Sequence, residues 1–246
     1  MIKDINGLPK QTTPKMIIHQ GEIIRSPRTL ANIANKHYID KVNMIHHSFK
    51  DENRDPVKLL SRIIRLEGND FHLKEISSLE THRLIKNLKS TNAVGYDSIT
   101  TNILKKLGSC IIPSITHMIN CVVRSGEFPQ IFKLTRIVPI SKPGKPLDQI
   151  DSYRPVNNLC TLEKILEAWI NKCMIEWAET NNLISEKHHG GRKGYSTNTA
   201  IANIQNTIDE NINGKCFNIL LSTDLSAAFD TIDHKVLLGK LEHYGV

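Results

Sequence analysis

Ile219-Leu220-Leu221-Ser222-Thr223-Asp224-Leu225-Ser226-Ala227-Ala228-Phe229-Asp230-Thr231-Ile232-Asp233-His234 is the stretch on which the reading of this chain turns. With Phe217 and Asn218 ahead of it, the apolar run predicts a buried strand, and Asp224 falls at its C-terminal end. A carboxylate held by a rigid sheet can carry a hard divalent cation, Mg2+ or Mn2+, and the Leu225 carbonyl can add an oxygen ligand. In two-metal phosphoryl transfer one such ion activates the attacking hydroxyl and the other steadies the leaving oxygen. Phe229 can wall the sugar of an incoming nucleotide. A lone strand-end Asp is more often an ordinary turn former, so Asp224 by itself favours the turn, and it is the full string around it that favours the metal. Asp233 can cap a last helix carrying Val236, Leu237, Leu238 and Leu241, and Asp230 reads as structural.

Upstream, the punctuation is that of alternating helices and short turns. Ala200, Ile201, Ile204, Ile208 and Ile212 recur at helical spacing, and Gly214 ends that helix. Thr161 to about Asn181 is the strongest helix, with Leu162, Ile165, Leu166, Trp169, Ile170, Cys173, Met174 and Trp177 on one broad core-facing side. Leu134 to Ile140 predicts a strand that runs into the basic, turn-rich Ser141-Lys142-Pro143-Gly144-Lys145-Pro146. Helices are expected from Pro113 to Arg124, after Ser98 as a cap with Ile99, Ile103, Leu104 and Leu107 inside, and around Leu79, Leu84, Ile85 and Leu88. A further amphipathic helix from about Thr29 to Ser48 would turn Ile33, Tyr38, Val42 and Ile45 inward. Lys50 to Pro56 reads as a charged loop.

Composition bounds the class. Of 246 residues, 39% are hydrophobic and 23% charged, a globular balance that can bury a core; aromatics at 5% make that core aliphatic. The net charge of +7 favours an anionic partner, nucleic acid first. Five cysteines include no CxxC pair, which points away from zinc or a disulfide framework and toward small buried hydrophobes. No apolar run approaches a membrane span and no membrane partner is implied. No clear targeting signal is encoded. His188-His189 makes a poor metal pair, since adjacent side chains on a strand diverge.

Five segments in order give a resemblance. Asp224 to His234 resembles the first palm motif of the reverse transcriptases of non-LTR (LINE-type) retrotransposons. Lys89-Ser90 with Gly95-Tyr96-Asp97 is similar to that family's opening motif. Pro139 to Lys145 followed by Tyr153-Arg154-Pro155-Val156 resembles its fingers hairpin, and Lys164-Ile165-Leu166-Glu167 the helix after it. Gly190-Gly191-Arg192-Lys193-Gly194-Tyr195-Ser196-Thr197 resembles its Gly-rich loop. Gly21 to Val42 is loosely similar to the segment that precedes the polymerase.

The resemblance implies an α+β fold, right-hand polymerase fingers and an incomplete palm, helix-rich with a small antiparallel sheet. It implies an N-terminal extension over 1–75, partly helical and loosely ordered, and a polymerase portion over 76–246 that stops before the Asp-Asp motif and thumb. It implies RNA-directed DNA polymerisation, with RNA template, DNA primer and deoxynucleoside triphosphates as partners, and Mg2+ or Mn2+ for the complete site. Lys142 and Arg154 would grip the triphosphate, beside Phe229. Arg192, Lys193, Ser196 and Thr197 would follow the nucleic-acid backbone, with Asp224 and Leu225 at the metal. Lys145 and Asp97 would support loop geometry. The family acts in the nucleus.

Two departures shape the expectations. The Gly-rich loop has His188-His189-Gly190-Gly191 where the family has Gln-x-Gly-Phe, which removes a buried anchor worth roughly 2 kcal/mol. No adjacent Asp-Asp pair occurs in the 246 residues. The chain alone is therefore expected to be catalytically silent, and to need the rest of a palm and thumb, or a partner chain, against its open sheet. A non-catalytic nucleic-acid-binding protein derived from the same family is the alternative.

Overall fold

The computed structural model describes residues 13–48, 70–225, 228, 229 and 231–246. The Lys50 to Pro56 segment and Asp230 lie outside the described residues.

Helices dominate. In chain order they are α1 (Pro27–Ser48), α2 (Ser78–Asn87), α3 (Thr101–Leu107), α4 (Ile112–Ser125), α5 (Thr161–Thr180), α6 (Thr197–Asn213) and α7 (His234–His243). The strands form two separate antiparallel hairpins, β1 (Ile17–His19) with β2 (Glu22–Ile24), and β3 (Arg136–Ser141) with β4 (Tyr153–Asn158). The α+β class and the small antiparallel sheet are thus as expected.

The core forms where α2, α4 and α5 meet. Ile85, Leu104, Ile112, Ile115, Ile119, Ile165, Leu166 and Trp169 are buried together there, and aliphatic side chains predominate as the sparse aromatics require. Polar groups beside this core find partners. The Thr81 and Thr116 hydroxyls meet at 2.9 Å. The Asn120 amide pairs with both backbone groups of Ile76, accepting from its N–H at 2.8 Å and donating to its carbonyl at 3.0 Å. Trp169 Nε1 donates to the Lys74 carbonyl at 2.8 Å. Each bond removes the penalty of burying an unpaired polar atom.

Helix ends follow local chemistry. Ser77 Oγ caps α2 by accepting from Glu80 N. The α3 cap is Thr100, which accepts from Ile103 N, rather than the expected Ser98, whose φ is +56°. Ser98 lies in a tight turn, where it cannot present the extended backbone a cap needs. On α2 and α3 the exposed flank includes Leu79, Ile103 and Leu107, all expected inside. On α1, Ile33, Tyr38, Val42 and Ile45 are half-buried, and the deeply buried positions are Leu30 and Ala34.

Thr101–Ser125 reads by length and composition as 25 residues apolar enough to cross a membrane, contrary to the expectation of no such run. Gly108, at φ +58°, breaks it, and α4 is a 14-residue helix. That helix is roughly 21 Å long at 1.5 Å per residue, short of a hydrocarbon core of about 30 Å. Its Ile112, Ile115 and Ile119 are in the protein core.

The cysteines divide. Cys160 and Cys173 are buried as small hydrophobes, but Cys110, Cys121 and Cys216 are exposed, correcting the expectation that most lie inside. Cys121 is on α4, and Cys110 is in the 3-10 turn Gly108–Ile111 that precedes it.

The largest difference concerns the expected buried strand at 217–224. That segment carries no strand, and Phe217, Ile219 and Leu221 are 101%, 96% and 84% exposed. Among the described residues no other strand lies beside it, so its N–H and C=O groups find no ladder and its apolar side chains no opposing face. The neighbouring α6 is exposed for the same reason: Ile201, Ile204 and Ile212 form its stripe, and no residue of the helix is buried.

Candidate nucleotide-binding cleft

The β3–β4 hairpin brings together two of the expected site residues. Its register pairs Ile140 with Arg154 and Ser141 with Tyr153, so Lys142 emerges one residue beyond the last pair. The loop between the strands is closed by backbone bonds from Lys142 N to Ser152 O at 2.8 Å and from Lys145 N to Lys142 O at 3.4 Å. Lys142 Nζ donates to the Asp151 carbonyl at 2.8 Å, which holds the ammonium near the strand pair. Tyr153 is buried and its hydroxyl donates to Leu147 O at 2.8 Å, pinning the loop from inside. Arg154 is exposed.

Lys142 and Arg154 line one cleft of about 650 Å³ whose opposite wall is α1. Such a volume suits a small ligand. The Tyr38 hydroxyl on that wall is buried with no hydrogen bond, and burial together with the charge of Tyr153 and Asp151 pushes its pKa up to about 12. It therefore remains a proton donor at neutral pH. His37 Nε2 stands 3.3 Å from Asp151 Oδ1. The β1–β2 hairpin docks on the same loop, with Ile17 fully buried and Ile18 N bonded to Asp148 O at 2.7 Å.

Behind the hairpin, the Gly95-Tyr96-Asp97 turn holds the start of α5. Asp97 Oδ1 accepts from Ile99 N at 3.2 Å, and Oδ2 accepts from Thr161 N at 3.0 Å. Thr161 Oγ1 donates to Ile99 O at 2.6 Å. Gly95 lies so close to β4's exit that a Cβ there would be 2.6 Å from Cys160 N and Leu159 C. Only glycine permits that approach. Glu163, buried at the first turn, accepts from Cys160 N at 3.1 Å, and burial raises its pKa.

The Gly-rich loop is held without the missing Phe. Arg192 forms a two-point ion pair with Glu179 of α5, Nε to Oε1 at 2.7 Å and Nη2 to Oε2 at 2.6 Å, and Nη1 donates to Ser185 O at 3.0 Å. Its guanidinium lies 4.4 Å from the Tyr195 ring centre. His189 packs edge-on against Tyr195, with Nδ1 2.8 Å from Thr199 Oγ1 and Nε2 3.2 Å from Asn203 Nδ2. Ser196 caps α6, accepting from Thr199 N at 3.3 Å while its own N–H donates to Thr199 Oγ1 at 2.8 Å. Arg192 and Ser196 thus have partners inside the chain, whereas Lys193 and Thr197 are exposed. Arg192 holds the Glu179 carboxyl below its usual range.

Asp224 and its neighbours lie apart from any such framework. Asp224 is exposed, and its Oδ1 accepts from Leu225 N at 2.9 Å. Leu225 is exposed and the Phe229 ring is 90% in solvent. Asp233 caps α7 as expected, accepting from Lys235 N at 2.8 Å and Val236 N at 3.1 Å. Among the described residues, no group of three or more His, Cys, Asp or Glu side chains is placed to hold a metal ion. One carboxylate and a carbonyl do not make a divalent-cation site, so the donor set present here does not fit the expected Mg2+ or Mn2+.

Comparison with known proteins gives the class. No protein-family profile matches the chain. It is 24% identical over 232 residues to the probable RNA-directed DNA polymerase from transposon BS of Drosophila melanogaster, covering 92% of this chain and 25% of that protein. The corresponding X-element polymerase of the same fly is 30% identical over 173 residues, 70% of this chain and 19% of the relative. The RNA-directed DNA polymerase from its mobile element jockey is 26% identical over 202 residues, covering 80% and 22%. The chain is a relative of the reverse transcriptases of LINE-type, non-LTR retrotransposons, as its motifs indicate. Within that class its similarity runs to the BS, X-element and jockey polymerases, and it spans a quarter or less of their length.

Proposed function

We propose that this chain is the fingers and first palm segment of an RNA-directed DNA polymerase, and that its β3–β4 hairpin binds the triphosphate of an incoming deoxynucleotide. The observation that carries the reading is the convergence of Lys142 and Arg154 on one cleft. Cations there neutralise charge on the departing pyrophosphate, and the Arg154 fork adds bidentate geometry. Template RNA and DNA primer are the polymeric partners, with Lys193 and Thr197 at the exposed Gly-rich loop as backbone contacts. Arg192 acts by fixing that loop to α5.

Asp224 would supply one hard oxygen ligand to a divalent ion whose other ligands the described residues do not provide. The 246 residues contain no adjacent Asp-Asp pair and are expected to be catalytically silent on their own. The alternative is a nucleic-acid-binding protein without catalysis, for which the net charge of +7 is the supporting observation.

The test is twofold. Primer extension on an RNA template with Mg2+ and deoxynucleotides is expected to match an Asp224→Ala control; extension above it contradicts the silence. Nucleotide binding is expected to weaken in Arg154→Ala. Binding that is unchanged contradicts the role of the hairpin and favours the non-catalytic reading.

A further inference from the structure

We infer that α1 forms the second half of the nucleotide cleft, with Lys41 as a third cation on the triphosphate. This rests on the proposed role of the hairpin and extends it to a helix outside the polymerase motifs. Lys41 is exposed on α1 and lines the same cleft as Lys142 and Arg154. Three cations from two elements suit one highly charged group better than a single phosphate diester, which carries one negative charge. The same cleft is lined by Asn35 and Asn43 of α1 and Asn157 of β4. Amides offer donors and acceptors to a sugar or base without adding charge.

The placement of α1 is built rather than incidental. The β1–β2 hairpin that leads into it is anchored by buried Ile17 and by the Ile18 to Asp148 backbone bond. At the other side His37 faces Asp151, whose carbonyl also receives Lys142 Nζ. Asp151 pairs with His37, and among the described residues no ion pair is seen to Lys41 or Arg154. A cleft of about 650 Å³ matches one nucleotide rather than a running strand.

Equilibrium binding of a fluorescent deoxyguanosine triphosphate to the whole 246-residue chain tests this. Lys41→Ala is expected to weaken binding about fivefold, and Lys41→Arg to restore most of it. Lys36→Ala, at an α1 residue that does not line the cleft, is expected to leave binding unchanged. Circular dichroism confirms that each variant is folded. If Arg154→Ala weakens binding but Lys41→Ala stays within twofold of the wild type, the inference fails and the hairpin reading stands. If neither weakens it, or the wild type does not bind, both fail. If Lys41→Ala weakens binding of a single-stranded RNA but not of the nucleotide, α1 serves a strand and the inference is overturned.

Discussion

Asp97 and Thr161 stand 64 residues apart in sequence and are joined by a 3.0 Å hydrogen bond from the Thr161 backbone N–H to the Asp97 carboxylate. The bond fixes the first turn of α5 immediately after β4, the strand that carries Arg154. An anionic acceptor at a helix N-terminus is favoured both by the unpaired N–H groups there and by the helix dipole. Asp97→Ala is expected to lower unfolding stability by about 1–3 kcal/mol, with Asp97→Asn milder because it keeps an acceptor. Gly95→Ala is expected to cost at least as much, since its Cβ would meet backbone rather than a movable side chain. Urea denaturation measures both, and a loss under about 0.5 kcal/mol for either Ala variant contradicts the clamp.

The Arg192–Glu179 pair makes a pH prediction. The guanidinium depresses the Glu179 carboxyl, so the folded value lies below the unfolded one, near 4.3. The contribution of the pair is then fully present above that value and is lost as pH falls through the lower, folded value. Limited proteolysis of the loop from Glu186 to Ser196 is expected to be flat from pH 8 to about 5, and to rise in Glu179→Gln across that range. Equal cleavage of wild type and variant at pH 7 would show that the pair does not hold the loop.

Exposed apolar side chains at Phe217, Ile219, Leu220 and Leu221, with the stripe on α6, form a surface a monomer rarely leaves open. The 246-residue chain is expected to self-associate with rising concentration in size-exclusion chromatography. Replacing Phe217 and Leu221 with Ser should shift it toward monomer. A wild type that elutes as a monomer at all concentrations counts against this.

Much of this was legible in residue order, for reasons that differ by element. The α5 helix is readable because a 20-residue stripe repeats its period many times, and α4 because Gly126 and Pro129 mark its end. The β1–β2 hairpin escaped because its strands are three residues each. Its signal was Ile-Ile-His-Gln-Gly-Glu-Ile-Ile, apolar pairs mirrored about Gln20 and Gly21, which both take positive φ as a tight hairpin turn requires. The 217–224 run shows the opposite failure. A short apolar run states a preference for burial but not the presence of a neighbour, and among the described residues none is there. Lys142 and Arg154 were readable as candidates. Lys41 was not, because only folding places α1 across from the hairpin.

The most direct measurement is photo-crosslinking of an azido-deoxyadenosine triphosphate to the 246-residue chain, followed by mass spectrometry of the labelled peptides. The label is expected within residues 136–158 of the hairpin and within α1, competed by unlabelled deoxynucleotide. Labelling confined to peptides elsewhere, or indifferent to competitor, would contradict the hairpin as the nucleotide-binding element.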